Sequence, residues 1–215
     1  MNRIFRVHDL LRLEASQLQQ AIVPENSTDR SAMDECLRRS PFVVVRRASF
    51  KETLIPVGIR GRERSQRIAG WCDPEGIAEV ISPESLRTSS NDRGLPVFQA
   101  LHELERRWLH LSYSWGPTGS AGFELATGAA SVTETSDLDL VLRIDAPCSI
   151  VELKEIAEIM AGLPCAVDLQ VETPFGAFAL SEYLECPEKL LLRTSTGPML
   201  VRDPWRSFDV QELCA

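Results

Sequence analysis

The amino-acid sequence predicts an α/β chain in two parts: a smaller α+β N-terminal domain over residues 1–85 and a second domain over 95–215 in which strands and helices alternate. Three observations carry this prediction. The apolar, β-branched run Phe42-Val43-Val44-Val45 and the segment Leu54-Ile55-Pro56-Val57-Gly58-Ile59 have the length and composition of two buried strands joined as a hairpin. A stretch rich in Ser, Pro, Asn and Asp between residues 82 and 94 then breaks the apolar patterning and reads as a linker. Past it, a strand over 138–144, a helix from Ser149 and a strand over 166–171 follow one another, the order that builds helix layers on a sheet.

The other elements follow from periodicity. Leu10, Leu13, Leu18 and Ile22 fall near one helical face and Pro24 ends the pattern, which predicts an opening helix over 10–22. A short helix is expected over 31–39 and a third strand over 66–71. Pro56 lacks the N–H that a ladder uses, so its strand is expected at a sheet edge or a bulge. Val97, Leu101, Leu104, Trp108 and Leu111 recur at helical spacing and predict a helix packed on a sheet. Ser149 and Glu152 make a capping box, with Ile150, Leu153, Ala157 and Met160 following on one face before Gly162 and Pro164 stop the helix. Leu190-Leu191-Leu192 and Met199-Leu200-Val201 predict a hairpin.

Composition narrows the function classes. With 44% hydrophobic and 25% charged residues the chain is globular rather than disordered. Its formal charge of -8 argues against a polynucleotide partner, which is gripped through net positive charge. No apolar run approaches the roughly 20 residues that span a bilayer and no signal core opens the chain, so a cytoplasmic protein without a membrane partner is expected. The six cysteines are scattered with no CxxC pair and no histidine at zinc-ligand spacing, so a structural zinc site is not expected; they read as small buried hydrophobes.

Chemistry concentrates after residue 115. Trp115-Gly116-Pro117-Thr118-Gly119-Ser120 is a glycine-rich turn feeding a helix that starts near Ser120. Backbone N–H groups at Gly119, the positive end of that helix and the Ser120 hydroxyl can together cradle a phosphate. No Gly-Lys-Ser/Thr ending is present, so the turn is not a P-loop. Downstream, Asp137 and Asp139 alternate with Leu138 and Leu140, which puts both carboxylates on one strand face. Two adjacent carboxylates repel, and a hard divalent cation such as Mg²⁺ would neutralise them; a solvated strand end is the plainer alternative. Asp168 sits in the apolar strand Ala166-Val167-Asp168-Leu169, where a buried carboxylate needs a partner, either that same metal or an arginine. Glu172, on the same strand face, is the alternative third acid.

The order Gly119-Ser120, then Asp137-x-Asp139 on a strand, then Asp168 on a later strand resembles the signature of the nucleotidyltransferase superfamily. More narrowly, Gly119-Ser120-x-Gly122-Phe123-Glu124 with Ser136-Asp137-Leu138-Asp139-Leu140 looks like the malonate decarboxylase holo-acyl-carrier-protein synthase family, the phosphoribosyl-dephospho-CoA transferases. His8-Asp9-Leu10, Val44-Val45-Arg46-Arg47, Val57-Gly58-Ile59-Arg60-Gly61, Glu172-Thr173-Pro174 and Gly176-Ala177-Phe178-Ala179-Leu180 extend the likeness over nearly the whole chain. The resemblance implies a nucleotidyltransferase-like C-terminal domain with a mixed sheet and flanking helices. It also implies a Mg²⁺ (or Mn²⁺) cofactor on the catalytic acids Asp137, Asp139 and Asp168. The implied reaction moves the prosthetic group of triphosphoribosyl-dephospho-CoA onto a serine of the acyl-carrier subunit of malonate decarboxylase, with loss of pyrophosphate. Two rivals share the same residues: another metal-dependent nucleotidyltransferase, moving AMP or a similar group, and a catalytically silent binding module.

Despite the acidic total, Arg46, Arg47, Lys51, Arg60, Arg62, Arg64 and Arg67 form a local basic patch. Of these, Arg46, Arg47 and Arg60 lie in family-like segments and are expected, with Gly119 and Ser120, to bind the donor, since guanidinium forks suit phosphate oxygens. A solvated hairpin face is the alternative. Arg62 and Arg64 are expected to help dock the carrier. His8, beside Asp9, reads as a capping or surface residue, and Trp115 as a core aromatic able to pack on the donor.

Overall fold

The structure, a computed structural model, describes residues 4–18, 20–26, 29–61, 66–88 and 93–207; Arg62, Arg64 and Cys214 lie outside the described residues. Its architecture is α+β, with two six-stranded sheets, one built before residue 82 and one after residue 113.

The first sheet contains β1 (Leu10–Leu13), β2 (Ile22–Pro24), β3 (Phe42–Val45), β4 (Ile55–Arg60), β5 (Arg67–Cys72) and β6 (Ile77–Ile81), with helix α1 (Arg30–Arg39) between β2 and β3. The order is β2-β5-β4-β3-β1-β6 and every pairing is antiparallel. Met33 and Leu37 of α1 close its core against Leu11, Leu13, Val43, Val45, Val57 and Ile59. Burying such a side chain stabilises by about 1.5–3 kcal/mol.

Two expectations are corrected here. Residues 10–22 do not form a helix; they supply β1 and β2. Leu11 and Leu13 enter the sheet core while Leu10 faces the other way, onto Leu86 and Phe123. A strand apolar on both faces loses its alternation and imitates a helical stripe, and here pairing with β3 and β6 decides the outcome. Pro56 is not on an edge strand, because β4 lies between β3 and β5. It is tolerated because β3 stops at Val45: the Pro56 carbonyl still accepts from the Arg46 N–H at 2.9 Å, and the missing N–H would face the chain just past the strand end.

The second half runs α2 (Pro96–Arg107), β7 (Ser114–Pro117), α3 (Gly119–Thr127), β8 (Leu138–Arg143), α4 (Ile150–Ile159), β9 (Val167–Thr173), β10 (Gly176–Ala179), α5 (Leu180–Leu184), β11 (Leu190–Thr194) and β12 (Gly197–Val201). The sheet order is β12-β11-β10-β9-β8-β7, and it is mixed: β8 and β9 are parallel, joined through α4, and the other neighbours are antiparallel. Ser149 caps α4 as expected, its Oγ accepting from the Glu152 N–H at 3.2 Å. Leu101 and Leu104 of α2, Leu153 and Ile156 of α4 and Leu180 of α5 share a core with Leu138, Leu140, Leu169, Val171, Phe178 and Leu192 of the sheet. Alternation therefore leaves Asp139, Gln170, Glu172 and Arg193 on the opposite, polar face.

Cys72 is buried as expected, but Cys36, Cys148 and Cys165 are half-buried and Cys186 is exposed. Among the described residues no helix is long and apolar enough to cross a membrane.

Candidate active site

The polar face of the second sheet meets the first sheet around a cavity of about 820 Å³. Its wall includes Arg46, Arg47, Arg60 and Arg67 from the first sheet and Thr118, Gly119, Asp139, Gln170 and Arg193 from the second half. Five arginines and one carboxylate among the lining residues give the wall an excess of positive charge, part of which is met by glutamates behind it.

The glycine-rich turn is the junction of β7 and α3. The Thr118 N–H donates to the Asp139 carbonyl at 2.8 Å, tying the turn to the start of β8. Gly119 follows with φ +56, in the left-handed region, and a Cβ there would fall inside the Asp139 carboxylate. Only glycine allows the helix start and the carboxylate to approach this closely. Ser120 is buried at 3% exposure and its Oγ has no hydrogen-bond partner, so the hydroxyl is uncompensated in this structure.

The three predicted acids separate in position. Asp139 is half-buried and lines the cavity. Asp168 is its register partner on the neighbouring parallel strand, so the two carboxylates stand side by side on one face. Asp168 is exposed, however, which corrects the expectation that its strand would bury it; its charge needs no partner for solvation reasons. Asp137 precedes β8 and is exposed too. Among the described residues no three His, Cys, Asp or Glu side chains are gathered into a ready metal cage. The donor set still fits Mg²⁺, which is usually held by one or two carboxylates, completed by water and substrate phosphates. Glu172 is otherwise engaged.

It receives Arg47 in a two-pronged pair, Nη1 to Oε1 at 2.9 Å and Nη2 to Oε2 at 2.7 Å, and Arg143 approaches at 3.9 Å. Arg143 in turn donates to Glu84 and, at 3.1 Å, to the Val7 carbonyl. His8 Nε2 hydrogen-bonds Gln170 Oε1 at 2.8 Å, and burial holds its imidazole below the usual histidine range. Next to it, burial pushes the Asp9 carboxyl up to about 6 although its Oδ2 accepts from the Arg6 N–H. Arg47 and His8, read from sequence as a donor ligand and a surface residue, thus fasten the two sheets together at the cavity wall. Arg47→Ala should destabilise the chain by about 3 kcal/mol, because it strands Glu172 with little solvent. Urea unfolding checks this, and the double variant Arg47→Met with Glu172→Leu should recover most of the loss.

The other arginines remain available in different degrees. Arg60 donates to the Gly119 carbonyl at 3.3 Å and stacks over Phe123 at 5.1 Å, which sets it beside the turn. Arg67 is its register partner. Arg46 meets Glu25 at 3.3 Å but leaves its buried Nε–H without a partner. Glu124, from the family-like Gly122-Phe123-Glu124, is structural: it accepts from the Ser131 and Val132 N–H groups and from Arg93, ordering the loop that leads to β8. Trp115 packs edge-on to Trp108 at 4.8 Å in the core and does not line the cavity.

Family models for the N-terminal and C-terminal domains of the phosphoribosyl-dephospho-CoA transferase MdcG match residues 6–83 and 85–204. The chain belongs to the MdcG family. Phosphoribosyl-dephospho-CoA transferases of Pseudomonas aeruginosa and Klebsiella pneumoniae are each 38% identical to it over 206 residues, covering 95% and 93% of this chain and 95% and 96% of theirs. That of Pseudomonas fluorescens is 40% identical over 81% of this chain and 84% of its own length. No solved structure gives a significant match. Family membership makes the chain a transferase.

Proposed function

We propose that the chain transfers the phosphoribosyl-dephospho-CoA group from triphosphoribosyl-dephospho-CoA to a serine hydroxyl of the acyl-carrier subunit of malonate decarboxylase, releasing pyrophosphate. The observation that supports this most is the arginine-lined cavity closing on a glycine turn that touches one carboxylate, in a chain whose relatives carry the transferase name. The serine oxygen forms a bond to the α-phosphorus of the donor triphosphate, the bond from that phosphorus to the bridging oxygen of the pyrophosphate breaks, and the serine proton passes to a carboxylate. Asp168, exposed and beside Asp139, is assigned the proton. The backbone at Gly119, at the positive end of α3, binds a phosphate oxygen, and Arg60 and Arg67 screen the rest of the triphosphate; the Ser120 hydroxyl lies buried behind the cavity wall. Asp139, with Asp137, would hold Mg²⁺ or Mn²⁺, which would neutralise charge building on the α-phosphate and the leaving pyrophosphate.

The test is pyrophosphate release from purified components. Release should require the donor, the carrier and Mg²⁺ together, and a chelator should abolish it. Equal release when ATP replaces the donor would instead favour transfer of AMP by the same site.

A further inference from the structure

The β11–β12 hairpin builds a wall of the cavity away from the Gly119 turn, through Leu191, Arg193 and Pro198. Register places these on one face: Arg193 lies opposite Pro198 and Leu191 opposite Leu200. Leu190, Leu192, Thr194 and Val201 are buried on the other. Leu191 at 36% and Leu200 at 58% exposure make an apolar patch on this face, beside a guanidinium with no hydrogen bond or ion pair among the described residues. Among the described residues, Arg46, Arg47 and Arg60 of the same cavity each have a partner.

Position separates Arg193 from the reaction turn. A row of register partners runs from Arg143 and Glu172 through Ala177 to Arg193. Arg193 therefore lies three strands across the sheet and four residues along it from Asp139. Strand spacing and rise make that roughly 20 Å. The hairpin turn also touches the Arg46–Arg47 side of the first sheet, where Ser49 Oγ meets the Ser195 carbonyl at 3.4 Å.

We infer that this hairpin face is the subsite for the dephospho-CoA portion of the donor. Arg193 binds the diphosphate that stays with the transferred group, and Leu191 with Pro198 gives the adenine ring an apolar floor. The inference rests on the transferase reading, because that donor carries two polyphosphates: one is split at the Gly119 turn, and the other needs an anchor well away from it. Holding the unreacting end supplies binding energy that orients the reacting phosphorus. An arginine unpaired among the described residues and flanked by exposed apolar side chains has the chemistry for a nucleoside diphosphate.

Two probes separate the subsites, each titrated by calorimetry into the full chain: dephospho-CoA, which lacks the triphosphate, and inorganic tripolyphosphate, which lacks the nucleotide. Arg193→Ala should weaken dephospho-CoA binding by about tenfold or more and leave tripolyphosphate unchanged. Arg193→Lys should recover part of the loss, and Gly119→Ala should show the reverse pattern. Unchanged tripolyphosphate binding by Arg193→Ala also certifies its fold. If that variant binds dephospho-CoA as the wild type does, or loses both ligands equally, the subsite is wrong and the transferase reading stands. A wild type that binds tripolyphosphate but not dephospho-CoA also overturns the subsite, whereas the transferase reading falls only if donor, carrier and Mg²⁺ together release no pyrophosphate.

Discussion

Asp139→Asn is expected to lower kcat by about a thousandfold or more, roughly 4 kcal/mol of transition-state stabilisation, while leaving thermal unfolding nearly unchanged. The substitution keeps shape and removes charge, so it separates chemistry from architecture. The backbone carbonyl of residue 139 still accepts from Thr118, so the turn should hold. A ranking accompanies the magnitude. Asp139 lines the cavity, whereas Asp137 and Asp168 are exposed and do not. Asparagine at 139 should therefore cost more than asparagine at either of the others. Steady-state rates for the three variants check the order; equal, small effects would mean that the cavity acid is not where charge is neutralised.

Gly119→Ala should be almost as damaging for a different reason. A methyl there meets the Asp139 carboxylate, and the φ of +56 adds backbone strain of about 1–2 kcal/mol. Carboxylate and helix start must move apart, and a displacement near 1 Å can cost about a hundredfold in rate. Gly128 provides the control. It ends α3 with φ +72 and has open space around it, so Gly128→Ala should show the backbone strain alone, as lost stability with kcat retained. Comparable rate losses at both glycines would assign the Gly119 effect to strain, not to contact with Asp139.

Local pattern made much of this legible in the sequence. The α4 helix announces itself through Ser149 and Glu152, and β3, β4 and the β11–β12 hairpin through β-branched or leucine residues between turn residues. The Gly119 turn and Asp139 were visible because glycine, serine and alternating acids are local signals. Elements whose burial comes from both sides, or that lack a β-branched or leucine run, are not legible. Leu10-Leu11-Arg12-Leu13 imitates a helix because a second core lies behind it, and β7, β10 and α5 contain no such run. Long-range pairing was equally hidden. Nothing near Arg47 or Glu172 indicates that they bind each other across 125 residues, yet that pair decides which arginines remain free for a ligand. Arg193 carried no local signal: it is one arginine in a leucine strand, and only the sheet order turns it toward the cavity.

The most direct test of the central claim is the intact mass of the purified acyl-carrier subunit after incubation with this chain, triphosphoribosyl-dephospho-CoA and Mg²⁺. A gain equal to one phosphoribosyl-dephospho-CoA group, confined to a serine-bearing peptide and absent with Asp139→Asn, is the predicted result. An unmodified carrier, or one that gains AMP from ATP instead, would contradict it.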